Sequence, residues 1–263
     1  MNQSHPTLNR SPFATVNIGG LDIACAGRAE LAAMMTADCL AARAENRVPE
    51  TSLAFDANGH GLSLAATDPA YRAAVTRADI IHADGGFLVT LAKLFGSQPI
   101  RERSATTDMF HDLAEAAAGA GLSFYLLGGS EAVNAECARI MQQRYPGLNI
   151  VGRRHGYFTP AEEPGIIDHI NAVRPDLLWV GIGKPKEQLF AVKYRDRLRA
   201  VWLITCGGCF NYITGDYRRA PLWMQKYNLE WLHRAVCTPR KLLLRYLTTN
   251  PHALWLALTK SKW

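Results

Sequence analysis

Between residues 50 and 210 the chain alternates short apolar runs with longer amphipathic stretches. The runs 53–56, 80–82, 122–127, 149–152, 177–180 and 200–205 have strand length and end in glycine or polar residues, so each predicts a β-strand. The stretches between them carry apolar positions at helical spacing and predict helices over 62–66, 70–77, 87–95, about 106–120, 131–145, 160–173 and 187–198. Strand and helix in strict alternation imply a mostly parallel, doubly wound, Rossmann-like α/β sheet with right-handed crossovers. Ahead of it, 15–18 and 21–24 alternate apolar and polar around Gly19-Gly20 and predict a β-hairpin, followed by an amphipathic helix over 30–45. After it, 221–236, 240–248 and 253–260 predict helices, the last two opened by Pro239 and Pro251. The expected organisation is a flexible lead (1–13), an α/β catalytic domain (14–220) and a basic amphipathic helical appendage (221–263).

Composition narrows the class. A chain of 263 residues, 48% hydrophobic and 20% charged, has the material for a substantial core and is not a disordered chain. No apolar run reaches the ~18 residues of a membrane span, and residues 1–12 lack the apolar centre of a signal peptide. The expected location is the cytoplasm. The six cysteines follow no framework spacing and read as free thiols. Cys206 and Cys209 form a lone C-x-x-C without the two further ligands that zinc needs, so no metal site is expected.

Charge is distributed unevenly. The net charge of +6 equals the basic content of 231–263 (Arg234, Arg240, Lys241, Arg245, Lys260 and Lys262), a segment without Asp or Glu. The appendage therefore reads as the part that meets an anionic surface, with Arg218, Arg219, Arg234, Arg240, Lys241 and Arg245 as membrane or acceptor contacts. Its alternative is an ordinary helical cap packed on the sheet. No nucleic-acid reader motif accompanies the charge.

The candidate chemistry gathers at strand ends. Asp84-Gly85-Gly86 terminates the run 80–82, and a carboxylate there stands where open α/β sheets bind ligands. Asp is also a common helix N-cap, and spacing alone leaves both roles open. Glycine-rich loops follow further strands at Gly128, Gly181 and Gly207, and their convergence on one sheet edge favours a nucleotide-type ligand. G-x-G-x-x-G and P-loop patterns are missing, which argues against NAD and ATP hydrolysis. Gly128-Gly129-Ser130 reads either as a phosphate-holding helix start or as a tight turn. Lys184 and Lys186 suit a diphosphate, against a solvated helix start as the alternative.

Taken in order, Asp56-Ala57-Asn58, Ala83-Asp84-Gly85, Glu102-Arg103, Tyr125-Leu126-Leu127-Gly128-Gly129, Gly152-Arg153-Arg154-His155-Gly156-Tyr157-Phe158, Gly183-Lys184-Pro185-Lys186-Glu187-Gln188 and Gly207-Gly208-Cys209-Phe210 resemble the WecG/TagA/CpsF glycosyltransferases. Within that family the likeness is to members that build lipid-linked cellobiose. The resemblance implies a GT-E-type fold and an inverting, metal-independent transfer without a cofactor. Glucose would move from UDP-glucose to glucosyl-diphospho-undecaprenol in a β-1,4 linkage, for exopolysaccharide synthesis on the inner face of the membrane. Its alternatives are an N-acetylmannosamine-type transfer and a non-catalytic nucleotide-sugar-binding regulator, and a homo-oligomer is compatible with either. The resemblance makes Asp84 the base, with Asp56 second, and sets Arg103, Lys184 and Lys186 against the leaving-group charge. It gives Asn58, Glu187 and Gln188 the sugar hydroxyls and adds Gly207, Gly208 and Asn211 to the substrate loops. The chain departs from the family at Asp56 (usually Thr), at the order Glu187-Gln188 (usually Gln-Glu) and at Asn211 (often Asp).

Overall fold

The computed structural model describes residues 12–45, 50–96 and 98–262, with the backbone alone at 239–241. Most of the expected lead therefore lies outside the described residues, as do the side chains of Arg240 and Lys241. The fold is α/β, with an N-terminal antiparallel hairpin, a parallel six-stranded sheet and C-terminal helices.

The hairpin pairs β1 (Thr15–Ile18) with β2 (Leu21–Ala24), and Gly19 and Gly20 take the positive φ its turn requires. Helix α1 (Arg28–Ala44) follows. The sheet strands are β3 (Ser52–Ala57), β4 (Ile80–Ala83), β5 (Ser123–Gly128), β6 (Asn149–Arg154), β7 (Leu177–Gly181) and β8 (Trp202–Thr205), in the spatial order β4-β3-β8-β7-β5-β6. The helices are α2 (Gly59–Thr67), α3 (Pro69–Val75), α4 (Gly86–Phe95), α5 (Thr106–Ala120), α6 (Glu131–Arg144), α7 (Glu163–Val173), α8 (Lys186–Tyr194) and α9 (Cys209–Ile213).

The two-residue period of the strands sorts their side chains into two cores. Phe55, Tyr125, Leu127, Leu178, Val180 and Leu203 pack on the face covered by the hairpin, α2–α4, α7 and α8. Their neighbours Ala54, Phe124, Leu126, Trp179, Trp202 and Ile204 pack on the opposite face, under α1, α5, α6 and α9. Burial on both faces explains why five of the strands read as continuous apolar runs; β6, at the sheet edge, is only partly buried. Chain order reverses between β3, whose successor β4 lies outward, and β8, which returns to the centre. That reversal opens a crevice at the carboxyl ends of the central strands.

Several expected boundaries move. Helix α4 is capped by Gly85, not Asp84; the Asp84 carboxylate instead accepts from Thr106 N (3.2 Å) at the start of α5. Neither Thr106 nor Thr107 caps α5, whose first N–H groups are served across space by Asp84. The single helix expected over 221–236 is two, α10 (Leu222–Lys226) and α11 (Glu230–Cys237), divided where Asn228 adopts φ 59°. The two helices expected after Pro239 are one, α12 (Pro239–Thr259), which runs through Pro251. Packing overrides the proline: Ala253, Leu256 and Ala257 are buried, and His252 Nδ1 lies 2.9 Å from Ser63 Oγ of α2. One face of the appendage is thus a packed cap. Leu222, Trp223, Val236, Leu244, Leu247 and Trp255 remain exposed on the rest of it.

At the sheet edge opposite the crevice, Arg195 Nη2 donates to both Asp79 oxygens (3.0 and 2.7 Å), and Asp79 Oδ2 accepts from Leu53 N (2.8 Å). Both side chains are buried. Asp79→Ala leaves the Leu53 N–H unpaired and the buried Arg195 guanidinium with only the Arg77 carbonyl (3.0 Å) and the more exposed Glu50 (3.4 Å), and is expected to cost about 3 kcal/mol in urea denaturation at neutral pH.

Candidate active site

A cleft of about 470 Å³ opens at the crevice, lined by the loops after β3, β4, β7 and β8 and by α11 and α12. Its floor is charged. Asp56, at the end of β3, forms an ion pair with Lys184 from the loop after β7, and both side chains are 7% exposed. The pair spans the intervening strand β8, whose last residue, Thr205, places Oγ1 3.5 Å from Asp56 Oδ1. Burial disfavours the Lys184 ammonium, yet Asp56 and the other acidic neighbours hold it above the usual lysine range.

Asn58 joins the two candidate carboxylates. Its Oδ1 caps α2 by accepting from Gly61 N (3.0 Å), which turns Nδ2 toward Asp56 Oδ2 (2.9 Å) and Asp84 Oδ2 (3.4 Å). Asp84 differs from Asp56 in exposure, with 23% of its side chain open to the cleft. Its Oδ1 takes the Thr106 N–H and lies 3.7 Å from Arg103 Nη2, while Arg103 Nε donates to the Asp84 carbonyl (2.6 Å). Burial pushes the Asp84 carboxyl up, but the charge of Arg103, followed by His82 and Lys184, outweighs it and holds the group below its ordinary range. Asp84 is therefore ionised at neutral pH, with Oδ2 its less engaged oxygen.

Glu187, in the first turn of α8, accepts from Gly183 N (2.9 Å) and Gly207 N (3.2 Å) and so clasps the loops after β7 and β8. Burial, reinforced by Asp56 and opposed by Lys184 and those two N–H groups, pushes its carboxyl up to about 7. Gln188 is buried behind it, its Nε2 3.3 Å from Glu187 Oε1.

Of the residues proposed from sequence, the cleft brings together Asp56, Asn58, Asp84, Gly85, Arg103, Lys184, Glu187, Gly207, Gly208, Arg234 and Arg245. Gly128, Gly129 and Ser130 do not line it. They follow β5, two strands from β8, where a Cβ on Gly128 would fall 2.3 Å from Gly181 O and Ser130 Oγ caps α6 through Val133 N (3.2 Å). Tight turn and cap account for that motif. Lys186 is exposed at the start of α8, Asn211 sits near Asp216 on α9, and Arg218 is exposed. Arg219 lies behind the cleft, paired with Asp108 (2.8 Å) and Glu230 (3.2 Å). Arg234 stacks over Tyr212 at 5.4 Å, and Arg245 Nε is buried with no hydrogen-bond partner. These two arginines present positive charge to the cleft from the appendage.

Sequence reasoning missed His60, Tyr212, Glu230 and Tyr246, all in the lining. His60 follows directly on the Asp56-Ala57-Asn58 motif, a signal that could have found it. Burial and the charges of Arg245 and Lys184 push its imidazole down to about 4, so it is neutral at pH 7. The others sit in helices whose placement no local pattern reveals. Among the described residues, no group of three or more His, Cys, Asp or Glu side chains converges in a way that could hold a metal ion.

A parallel sheet whose switch-point crevice presents carboxylates beside a lysine and arginines is the layout of an α/β enzyme for an anionic, nucleotide-type substrate. The chain belongs to the Glycosyl transferase WecG/TagA/CpsF family, which it matches over residues 16–263. It is 31% identical over 174 residues to an N-acetylglucosaminyldiphosphoundecaprenol N-acetyl-beta-D-mannosaminyltransferase of Bacillus spizizenii. That alignment takes in 66% of this chain and 66% of the relative, just under two thirds. The family expectation is met. The relative is named for N-acetylmannosaminyl transfer, whereas the narrower likeness read from the sequence is to glucose-transferring members.

The clasp at Glu187 has a pH signature. A carboxyl raised from 4.5 to about 7 keeps in the folded chain a proton that the unfolded chain has released. Its stabilisation is full below the unfolded value and is lost as pH rises through the folded one. Wild-type stability relative to Glu187→Gln is expected to fall between about pH 5 and about pH 8, read from urea denaturation at each pH. Parallel pH profiles for the two chains would rule the clasp out as the titrating group.

Proposed function

We propose that this enzyme transfers a sugar from a nucleoside-diphosphate donor to a polyprenyl-diphosphate-linked sugar, with inversion and with Asp84 as base. The observation that carries the assignment is the difference between the two carboxylates: Asp56 is locked to a buried lysine, whereas Asp84 is ionised, 23% exposed, and has Oδ2 engaged only by the long 3.4 Å contact from Asn58. Asp84 Oδ2 takes the proton of the acceptor hydroxyl as that oxygen attacks the anomeric carbon. The bond to the diphosphate breaks on the opposite face, and the diphosphate leaves with the electron pair. Arg234 and Arg245 meet its charge, with Arg103 alongside. His60 and Asn58 supply hydrogen bonds to uncharged hydroxyls.

For the donor, an N-acetylmannosamine-type sugar is the first reading, supported by the named relative. Glucose from UDP-glucose is the second; Asp56, paired with Lys184, stands where the family pattern has an uncharged threonine, so the sugar contacts here differ from that pattern. Transfer from each labelled donor to N-acetylglucosaminyl- and glucosyl-diphospho-undecaprenol, with EDTA present, separates the two. Asp84→Asn is expected to lower kcat by about 10²- to 10⁴-fold with the fold intact. Near-normal turnover in that variant would refute the base assignment. If donor binds but no sugar moves to any acceptor, a non-catalytic regulator takes its place.

The acceptor is a lipid, and the appendage suits the inner membrane surface: exposed Leu222, Trp223, Leu244, Leu247 and Trp255 stand in a segment rich in Lys and Arg. No helix among the described residues is long and apolar enough to cross a membrane. Co-sedimentation with vesicles of anionic phospholipid is expected to weaken about 10-fold in Trp223→Ala/Leu244→Ala. It should also weaken as salt rises.

A further inference from the structure

Glu230 is the only acidic residue between Tyr217 and Trp263, in a segment whose other charges are all basic. A lone carboxylate in such a segment would be expected on its solvent side, but this one is turned inward, with its side chain 9% exposed. Two arginines from outside the appendage helices hold it there. Arg103 Nη1 donates to Oε2 at 2.6 Å, and Arg219 Nε lies 3.2 Å from Oε1. The same Arg103 reaches Asp84 with its other nitrogens, through Nε to the carbonyl and Nη2 to the carboxylate. One guanidinium thus bridges the candidate base and the appendage.

A second contact brings the same elbow onto the Asp84 loop. Asn228, at φ 59°, donates through Nδ2 to Thr90 Oγ1 (3.2 Å), and its Oδ1 lies 1.9 Å from where a Cβ on Gly86 would stand. Only glycine at 86 leaves room for this seat.

We propose that Glu230 is a positioning residue: by seating the 228–230 elbow it fixes the Arg103 guanidinium, and through it the orientation of Asp84. The proposal rests on the transferase reading above.

Glu230→Ala and Gly86→Ala disturb the elbow from opposite sides, the first by removing the anion and the second by placing a methyl group on Asn228. Each is expected to lower kcat and kcat/KM together by about 10- to 100-fold, with donor KM little changed, because an interaction that orients the base counts in the transition state. Glu230→Gln keeps an acceptor for Arg103 and should lose less. Tryptic cleavage of the full chain within 218–245 should accelerate in both alanine variants. Wild-type kcat in either alanine variant overturns the proposal, as does a loss confined to donor KM. If the wild-type chain transfers no sugar, the transferase reading fails, and unchanged trypsin resistance in both variants removes the docking role as well.

Discussion

The buried pair of Lys184 and Asp56 is the constraint around which the cleft is built. Neither charge is tolerable alone at that depth, so the loops after β3 and β7 must arrive together, across β8. Meeting that condition orders the neighbours. Asn58 is drawn to Asp56 while capping α2, which brings its amide to Asp84. Glu187, close to the same lysine, ties the β7 and β8 loops by their backbone N–H groups. The floor thus has a fixed pattern of charge before any substrate arrives, as preorganised electrostatic stabilisation requires.

That pattern also divides the labour among the cations. Lys184 and Arg103 have carboxylate partners close by, so their charge is largely committed to holding Asp56 and to orienting Asp84. Arg234 and Arg245 enter from α11 and α12, and the Arg245 Nε has no hydrogen-bond partner. Positive charge facing the cleft therefore comes in part from the appendage, and the sheet loops supply carboxylates.

Five of the six sheet strands were legible because they are buried on both faces and run into glycine-containing loops, a signal that does not depend on distant partners. The hairpin was read from its alternation around Gly19-Gly20, the partly exposed β6 from its place in the alternation of strand and helix, and Asp56, Asn58, Asp84 and Lys184 from their position at strand ends. Gly128-Gly129-Ser130 misled for a related reason: the same glycine-rich turn serves a phosphate or a crowded strand crossing, and only the strand order decides. β5 lies outside the switch point, so its turn answers to Gly181. The appendage was least legible. Pro251 reads as a helix start until α2 is packed against it, and the φ of Asn228 has meaning only beside Gly86.

The same limit hid Glu230. Counting charges assigned the appendage a uniformly basic character from 231 onward and stopped one residue short of its single acid. In space that residue is the hinge of the arrangement. Its carboxylate faces the catalytic domain, Arg234 one turn later faces the cleft, and Leu232 and Val236 between and beyond them are exposed. On helix α11, Glu230 and Arg234, one turn apart, therefore share one face, and Leu232 and Val236 share another. Its polar face docks on the domain and borders the cleft, while its apolar stripe of Trp231, Leu232 and Val236 is left largely outside. An amphipathic reading of it as a membrane helix alone was bound to be incomplete.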